Sequence, residues 1–497
     1  MSDAPISTVT PGQHRLQKDI LSLPNCIALS AAVMGPVLAV VLNAPAAGPS
    51  TGGALPLAFL LALIICLFVG NSVAQFARVL PSAGSFYTYV SRSLGGGAGF
   101  FTGWMFFGAY SVLGPGLFGA DAFFAQQYIK STFNADLPWW IFGFIFLGAV
   151  SFLAIRSIKT SVRVDLTLLT IEVLVFLALA TIAIAKAGDG NTLNAFNPSS
   201  APQGYKGLGL GVVFGILSFI GFEAASVLGE ESKNPRRVVP LAVAGSVILV
   251  GVFYVYVMYG LTAGYHLNSA SGQTAFVADG TPFVTLANNY APWMTQIVDL
   301  CAIAGLFSAF LALQNTTIRV LFSMGREGAL PSQLGRVHTK YHSPHVAIYA
   351  LTVFTIVVGL AIGTWLGPGP SGLYGFTGSI GTIGVVFVYM LCNISLVVFF
   401  WKRADRNIVM HVIAPIIGTL GFIYPLWVVI APGQAYPFNL LPYIIGIYVI
   451  LGLAAYFYLR SSSPQKLAVF GSVLADEPIT KAEEGGILDD RSAHRPA

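Results

Sequence analysis

Four carboxylate side chains lie inside long apolar stretches of the sequence, at Asp121, Glu172, Glu223 and Asp299. A charged side chain at the centre of a bilayer costs at least about 2.5–3.5 kcal/mol, so each needs a partner, a water-filled cavity or a proton. Carboxylates that bind and release a proton within the membrane can couple transport to a proton gradient. The sequence therefore names Glu172, Glu223 and Asp121 as candidates for proton coupling.

The sequence positions of the four carboxylates rank them as candidates for proton coupling. Glu172 comes first because it is central in its apolar stretch and has no basic residue within a helical turn. Glu223 is about two turns from the basic segment 233–237, so an ion pair with Lys233 or Arg236 is the alternative. The other two carboxylates lie nearer the predicted outer ends of their helices, where either could instead attract a cationic substrate. A protonated or hydrogen-bonded packing residue is the alternative for Glu172.

Two apolar stretches contain interruptions that could bind a zwitterion. Met34-Gly35-Pro36 interrupts the first stretch, and Ser218 to Glu223, with Gly221 between them, interrupts the sixth. Proline removes a backbone donor and clashes with the preceding turn, so the first helix should break there. Transporters build binding sites from such half-helix ends, whose N–H groups favour a carboxylate and whose carbonyls favour an ammonium group. An ordinary kink in each helix is the alternative.

Motifs for other chemistry are weak in this sequence. His338, His342 and His345 have a spacing that could bind a metal on a helix, but Pro344 breaks the register and the loop is basic. We therefore expect solvated histidines and no metal site. The sequence has no P-loop, HExxH zinc motif or nucleophile elbow, so we expect no ATP-driven transport, no cofactor and no enzymatic activity.

Composition defines the elements that must position these residues. Hydrophobic residues make up 55% of the 497 residues and charged residues 9%, whereas soluble domains carry about 25% charged residues. The apolar stretches are continuous and do not alternate, which excludes a β-barrel and leaves helices as the spanning elements. The four cysteines lie in these stretches at unrelated spacings and should be packing residues. The sequence predicts an all-α membrane protein.

Twelve spanning helices account for the apolar stretches. The first stretch lacks a small-residue cleavage site, so we expect it to be retained as helix 1. The predicted helices lie near 22–43, 54–77, 98–128, 138–155, 163–185, 207–229, 239–263, 287–318, 344–364, 372–400, 409–430 and 437–460. With this topology, 22 Lys and Arg residues fall on one side and 3 on the other. The positive-inside rule then predicts cytoplasmic N- and C-termini in a cell membrane, and it explains the net positive charge without a nucleic-acid partner.

The chain divides into three predicted regions. Residues 1–20 form a cytoplasmic N-terminal segment, 21–460 a transmembrane transporter domain and 461–497 a flexible cytoplasmic tail. The tail is polar and acidic and cannot bury enough apolar surface to fold by itself. Within the membrane domain, the interruptions in helices 1 and 6 predict an inverted repeat of helices 1–5 and 6–10, followed by two further helices.

Several short motifs resemble those of one transporter family. They are Pro81-Ser82-Ala83-Gly84-Ser85-Phe86-Tyr87-Thr88-Tyr89, Gly99-Phe100-Phe101-Thr102-Gly103-Trp104, Ile220-Gly221-Phe222-Glu223, Glu230-Glu231-Ser232-Lys233-Asn234-Pro235-Arg236-Arg237, and Arg319 with Met324-Gly325-Arg326-Glu327-Gly328-Ala329-Leu330-Pro331. Their order and spacing are similar to loop 2–3, helix 6 and loop 8–9 of the amino acid-polyamine-organocation transporters. The resemblance covers most of residues 20–400 and implies the leucine-transporter fold with broken helices 1 and 6.

The resemblance also implies where a substrate binds. The residues that it places around the ligand are Met34, Gly35, Pro36, Leu217, Ser218, Phe219, Ile220 and Phe222. Carbonyl groups of Leu217, Ser218 and Ile220 would accept hydrogen bonds from an ammonium group, opposite the break in helix 1. Phe219 and Phe222 are candidate gates over the ligand, with core or lipid packing as the alternative.

Two positions depart from the family pattern. Relatives often carry a Gly-Ser-Gly-Ile-Phe-like string at the break in helix 1, where this chain has Met34-Gly35-Pro36-Val37-Leu38. Some proton-coupled relatives carry a lysine in helix 5, and alignment on Ser161, Arg163 and Val164 places Glu172 at that position. The coupling mechanism of those relatives therefore does not transfer directly to this chain.

These observations together predict a secondary active transporter for amino acids or related amines. We expect proton-coupled uptake by alternating access, with the substrate, the proton and membrane lipid as partners. An exchanger that swaps an amino acid for a related amine is one alternative. A nutrient sensor that signals through the polar tail is the other.

Overall fold

A computed structural model describes residues 21–465 except 81, 83, 157, 228–231, 432, 433 and 435, and for 158–162, 165 and 371 it describes the backbone alone. The predicted N-terminal segment 1–20 and the tail from 466 onward lie outside the described residues. The three predicted regions therefore stay a prediction.

The described chain is helical, and its only β-type contact there is an isolated bridge between Leu21 and Ser232. Each predicted span has a counterpart: helix 1 is Leu23–Met34 with Pro36–Leu38, Ala39–Asn43 and Ala44–Thr51; helix 2 is Leu55–Val79; helix 3 is Gly96–Phe133; helix 4 is Trp139–Arg156; helix 5 is Ile158–Lys186; helix 6 is Gly204–Phe219 with Ala224–Val227; helix 7 is Pro235–Gly264; helix 8 is Thr295–Arg326; helix 9 is His345–Leu366; helix 10 is Pro370–Tyr374 with Gly375–Phe400; helix 11 is Val409–Ile413 with Ala414–Ile430; and helix 12 is Leu441–Ser462. The predicted all-α class is confirmed.

Length and hydropathy support the membrane assignment. Within the described residues, 10 helical segments are long and apolar enough to cross a membrane. One of them, Leu23–Val79, comprises helices 1 and 2. Helix 3 is not among the 10, but its 38 residues are ample to cross the hydrocarbon core. Shorter helices connect the spans at Phe86–Leu94, Ala270–Ala278 and Pro282–Tyr290.

Burial separates central helices from peripheral ones. In the most apolar stretch of helix 6, 83% of the residues are buried, compared with 11% in helix 12. Because lipid is as apolar as leucine, a peripheral helix can expose apolar side chains without penalty. Helix 1 packs against helices 5, 7 and 8, and helix 6 packs against helices 1, 2 and 11. All four cysteines are buried, as predicted for packing residues. The two interrupted helices thus form the centre of the molecule.

Candidate functional site

The breaks in helices 1 and 6 lie in direct contact. Gly221 has φ of +117°, a conformation that side chains disfavour. A Cβ atom at Gly221 would lie 2.4 Å from Val33 Cγ1 and 2.8 Å from the Val33 carbonyl carbon. Only glycine lets the helix 6 break approach the last turn of the first half of helix 1 this closely. The structure therefore brings the two predicted interruptions together.

Gly35 ends the first half of helix 1 in a left-handed conformation, with φ of +59°. Its N–H donates to Ala32 O at 3.0 Å, and the second half begins at Pro36. The first amides of a helix have no intrahelical acceptor. Proline has no N–H, so Val37 and Leu38 supply the free amides of this turn. The break therefore offers fewer donors to a carboxylate than a string without proline would.

The space beside Gly35 is already occupied. A Cβ atom there would lie 2.9 Å from Leu38 Cβ and 3.2 Å from Ala309 Cβ on helix 8. A larger residue such as leucine at this position would strain the backbone and displace helix 8, whether or not a ligand binds nearby. Substitution of Gly35 is therefore a poor test of ligand contact.

At the end of the first half of helix 6, some backbone carbonyls accept turn hydrogen bonds and others do not. Ile220 N–H donates to Leu217 O at 3.3 Å, and Phe222 N–H donates to Phe219 O at 3.3 Å. These turn bonds leave Ser218 O for a partner outside helix 6. Of the three carbonyls that the resemblance assigns to an ammonium group, that of Leu217 is thus already engaged in the turn.

Tyr254 on helix 7 connects both breaks. Its hydroxyl lies 2.9 Å from Met34 O and 2.8 Å from Ser218 O, and its side chain is fully buried. Sequence reasoning missed this residue because a single tyrosine in an apolar helix carries no signal of its own. Its role becomes visible only once helices 1, 6 and 7 are packed together.

A second polar connection joins helices 1, 6 and 10. Asn43 Nδ2 donates to Ser218 Oγ at 2.9 Å, and the Tyr374 hydroxyl donates to Asn43 Oδ1 at 3.1 Å. Sequence reasoning missed Asn43 as well, although a buried amide within an apolar stretch is a detectable signal. These bonds fix the second half of helix 1 against the helix 6 break.

The two candidate gates are packed in the core. Phe219 contacts the Tyr254 ring edge-on, with centroids 5.2 Å apart, and Phe222 contacts Tyr389 at the same separation. Both phenylalanines are fully buried. In this conformation they fill the space beside the breaks, and their gating role stays a prediction.

Glu223 is surrounded by hydrogen-bond donors. Tyr110 donates to Glu223 Oε1, while Tyr389 and the Gly221 N–H donate to Oε2 at 2.7 and 3.2 Å. In the described part of the chain Glu223 makes no ion pair, and Arg236 donates instead to main-chain carbonyls at the end of helix 2. The alternative of an ion pair with Lys233 or Arg236 is therefore wrong for this conformation.

Glu172 has different surroundings. It is 1% exposed, and its Oε2 atom has no hydrogen-bond partner among the described residues. A Cβ atom at Gly305 on helix 8 would lie 2.4 Å from this oxygen and 2.6 Å from Val37 Cβ. The carboxyl group of Glu172 therefore reaches helix 8 beside the second half of helix 1, next to the break.

Asp121 and Asp299 are not connected with the breaks by the hydrogen bonds of the described residues. Asp121 on helix 3 is fully buried, and both of its carboxylate oxygens lack a partner there. Asp299 on helix 8 is partly exposed. The structure thus brings Glu172 and Glu223 to the breaks and leaves Asp121 as a separate buried carboxylate.

A multi-pass helical membrane protein with two interrupted helices in contact at its centre has the architecture of a transporter. Residues 21–453 match the profile of the amino acid permease family, and the chain belongs to that family. The predicted resemblance to the amino acid-polyamine-organocation transporters is thereby confirmed.

Curated relatives extend the comparison over nearly the whole chain. The branched-chain amino acid permease BcaP of Bacillus subtilis is 25% identical over 475 residues, which cover 91% of this chain and 96% of the relative. The low-affinity putrescine importer PlaP of Escherichia coli is 24% identical over 415 residues, covering 80% and 85%. The L-asparagine permease of Escherichia coli is 25% identical over 435 residues, covering 83% of each chain.

Proposed function

We propose that this protein is a secondary active transporter that carries amino acids or related amines across a cell membrane by alternating access, driven by a proton gradient. One observation carries the proposal: the two helix breaks meet at the centre of the fold, where the carbonyls of Met34 on helix 1 and Ser218 on helix 6 converge on the Tyr254 hydroxyl. Relatives named for branched-chain amino acids, asparagine and putrescine support the substrate class.

The polarity of the breaks matches a small zwitterion or cation. The amides of Val37 and Leu38 mark the positive end of a half-helix, which favours a carboxylate. The carbonyls of Met34 and Ser218 mark the negative ends of the other half-helices and favour an ammonium group. Because Pro36 removes one amide from the carboxylate side, the ammonium group should contribute more to recognition than the carboxylate.

Glu172 is the proposed proton carrier. Its Oε2 atom has no donor or cation among the described residues and lies beside Gly305 and Val37. A buried carboxyl group without fixed partners can change protonation when the surrounding helices move and water enters. Its contact with the second half of helix 1 places this change next to the proposed substrate site.

Uptake into proteoliposomes tests the proposal. Purified protein should accumulate leucine, asparagine or putrescine when an inward proton gradient is imposed, and a protonophore should abolish the accumulation. Protein-free liposomes are the control. Uptake that does not depend on the proton gradient but requires substrate inside the vesicles would identify an exchanger. Well-folded protein that moves none of the three compounds under either condition would contradict the transport proposal for this substrate range.

A further inference from the structure

A tyrosine hydroxyl on helix 7 lies between the two interrupted helices. The Tyr254 hydroxyl oxygen is 2.9 Å from Met34 O and 2.8 Å from Ser218 O. Phe59 and Phe219 pack edge-on against its ring, with centroids 5.8 and 5.2 Å away. The hydroxyl is therefore held at one point, where carbonyl groups from both breaks converge.

This point has more acceptors than donors. A hydroxyl has one hydrogen and can donate it fully to only one of the two carbonyls. The breaks remove the backbone N–H that each carbonyl would accept within a continuous helix, so one of them is short of a donor in a buried place, which costs free energy. Carbonyls at the ends of half-helices also carry partial negative charge. A cation with several N–H groups would satisfy this point better than the hydroxyl alone.

We propose that Tyr254 is a ligand of the substrate's primary ammonium group, together with the carbonyls of Met34 and Ser218. The inference rests on the proposed function and identifies a side chain that selects the substrate. In the complex, the hydroxyl donates to one carbonyl while the ammonium group donates to the other carbonyl and to the Tyr254 oxygen. The third N–H shares the second lone pair of the first carbonyl. Every donor and acceptor at this point is then satisfied.

The arrangement defines the class of substrate. A primary ammonium group has three N–H donors, whereas a trimethylammonium group has none. Trimethylation of a substrate should therefore abolish its recognition by the carbonyls and by Tyr254, although it keeps the positive charge. The site selects for N–H donors as well as for charge.

A purely structural tie between helices 1, 6 and 7 is the competing explanation for Tyr254. Such a tie would position both breaks but would not touch the substrate. Its loss should weaken the binding of every ligand by the same factor, irrespective of the hydrogens on the ligand nitrogen. The ligand role instead predicts a loss that depends on N-methylation.

Tyr254→Phe tests the two roles with Tyr448→Phe as the matched control. The Tyr448 hydroxyl on helix 12 also donates to a main-chain carbonyl, Trp104 O of helix 3 at 2.7 Å, and its ring stacks on that of Trp104. Binding of leucine, asparagine or putrescine, whichever the wild type takes up, is compared with that of its N-trimethylated form. Tyr254→Phe should weaken binding of the primary amine about tenfold and leave the trimethylated form little changed. The control should keep the wild-type ratio.

Each outcome has a distinct meaning. Equal weakening of both compounds by Tyr254→Phe would show a structural tie and overturn the ligand role, while wild-type uptake would still support the proposed function. Well-folded wild-type protein that takes up none of leucine, asparagine and putrescine would overturn both the ligand role and the proposed function. If Tyr254→Phe does not fold, the comparison is made on the wild-type protein alone. Binding of the trimethylated form at least tenfold weaker than that of the primary amine supports the site, and equal binding of the two forms overturns it.

Discussion

At the scale of residues, the buried carboxylates differ in what surrounds them. Glu223 accepts hydrogen bonds from two tyrosine hydroxyls and one backbone amide, so its charge is satisfied without a cation. Glu172 Oε2 has no donor among the described residues. Glu223 therefore resembles a structural anchor of the helix 6 break, and Glu172 a group whose protonation can change. This contrast ranks the two carboxylates more sharply than their sequence positions do.

Glu172→Gln should abolish proton-driven accumulation. The amide keeps the shape and hydrogen-bonding reach of the side chain but cannot take up or release a proton. Substrate binding and exchange between equal pools should persist, because the helix breaks are unchanged. Uptake into proteoliposomes, measured with and without an imposed proton gradient, checks this prediction. An unchanged gradient-driven signal would remove Glu172 from the mechanism and leave Glu223 as the leading candidate.

Glu223→Gln should have a different phenotype. Its amide nitrogen would face a tyrosine hydroxyl or the Gly221 N–H, replacing an accepted hydrogen bond by two opposed donors. We expect a loss of about 1–3 kcal/mol in stability and reduced transport with or without a gradient. Thermal unfolding in detergent and counterflow of labelled substrate measure the two effects. Normal counterflow combined with lost gradient-driven uptake would instead make Glu223 the proton carrier.

At the scale of elements, the sequence predicted where helices 1 and 6 break but not how the breaks meet. Proline and glycine punctuation located the breaks through local chemistry. The bonds from Tyr254 to Met34 and Ser218 join residues far apart in the sequence. Helices that are apolar on most faces give little periodic signal, so their contacting faces cannot be read from the pattern. Tyr254 was missed for this reason, whereas Asn43, a polar amide within an apolar stretch, carried a signal that could have been used.

Gly221→Ala should damage the contact between the breaks. Its φ of +117° disfavours any Cβ atom, and the added atom would overlap Val33. Strain at such a backbone position costs about 1–3 kcal/mol. We expect a lower Tm in detergent and loss of most uptake. Gly70→Ala on helix 2 is the matched control, because a Cβ there would meet Val247 at an ordinary 3.6 Å.

The control variant separates a local effect from a general intolerance of larger residues. Gly70→Ala should retain wild-type Tm and uptake, since its added methyl group has ordinary contacts. If Gly221→Ala also behaves like the wild type, the contact between helix 6 and Val33 is not needed for transport. That result would move the site away from the breaks.

At the scale of the whole molecule, the apolar composition and the placement of basic residues predicted the helices, because the membrane constrains both the length of a spanning segment and the side on which basic residues lie. Each apolar stretch long enough to cross the hydrocarbon core became a helix in the structure. The sequence could not predict which spans are central, because a lipid-facing helix and a buried one are equally apolar. The 83% burial in helix 6 and 11% in helix 12 arise from packing alone. Orientation depends on charge placement and can be tested separately.

Cysteine labelling from one side of the membrane tests the proposed orientation. The four native cysteines are buried, so the background labelling should be low. Lys130, in the last turn of helix 3, belongs to the three basic residues on the predicted outer side, and Lys402, after helix 10, belongs to the 22 on the inner side. Both lysines are exposed in the structure. A membrane-impermeant maleimide should therefore label Lys130→Cys in intact cells and Lys402→Cys only after the cells are permeabilised.

The paired variants also test the helix count. A single additional or missing span between residues 130 and 402 would place both cysteines on the same side, so that either both or neither would be labelled in intact cells. Labelling of Lys402→Cys alone in intact cells would invert the whole topology and contradict the positive-inside assignment. In that inverted protein, the N-terminal end of helix 1 would lie at the outer face of the membrane. The proposed direction of proton-driven uptake would then have to be tested again. Labelling of Lys130→Cys alone supports an odd number of crossings between Lys130 and Lys402, with Lys402 on the inner side, as the seven helices from helix 4 to helix 10 require.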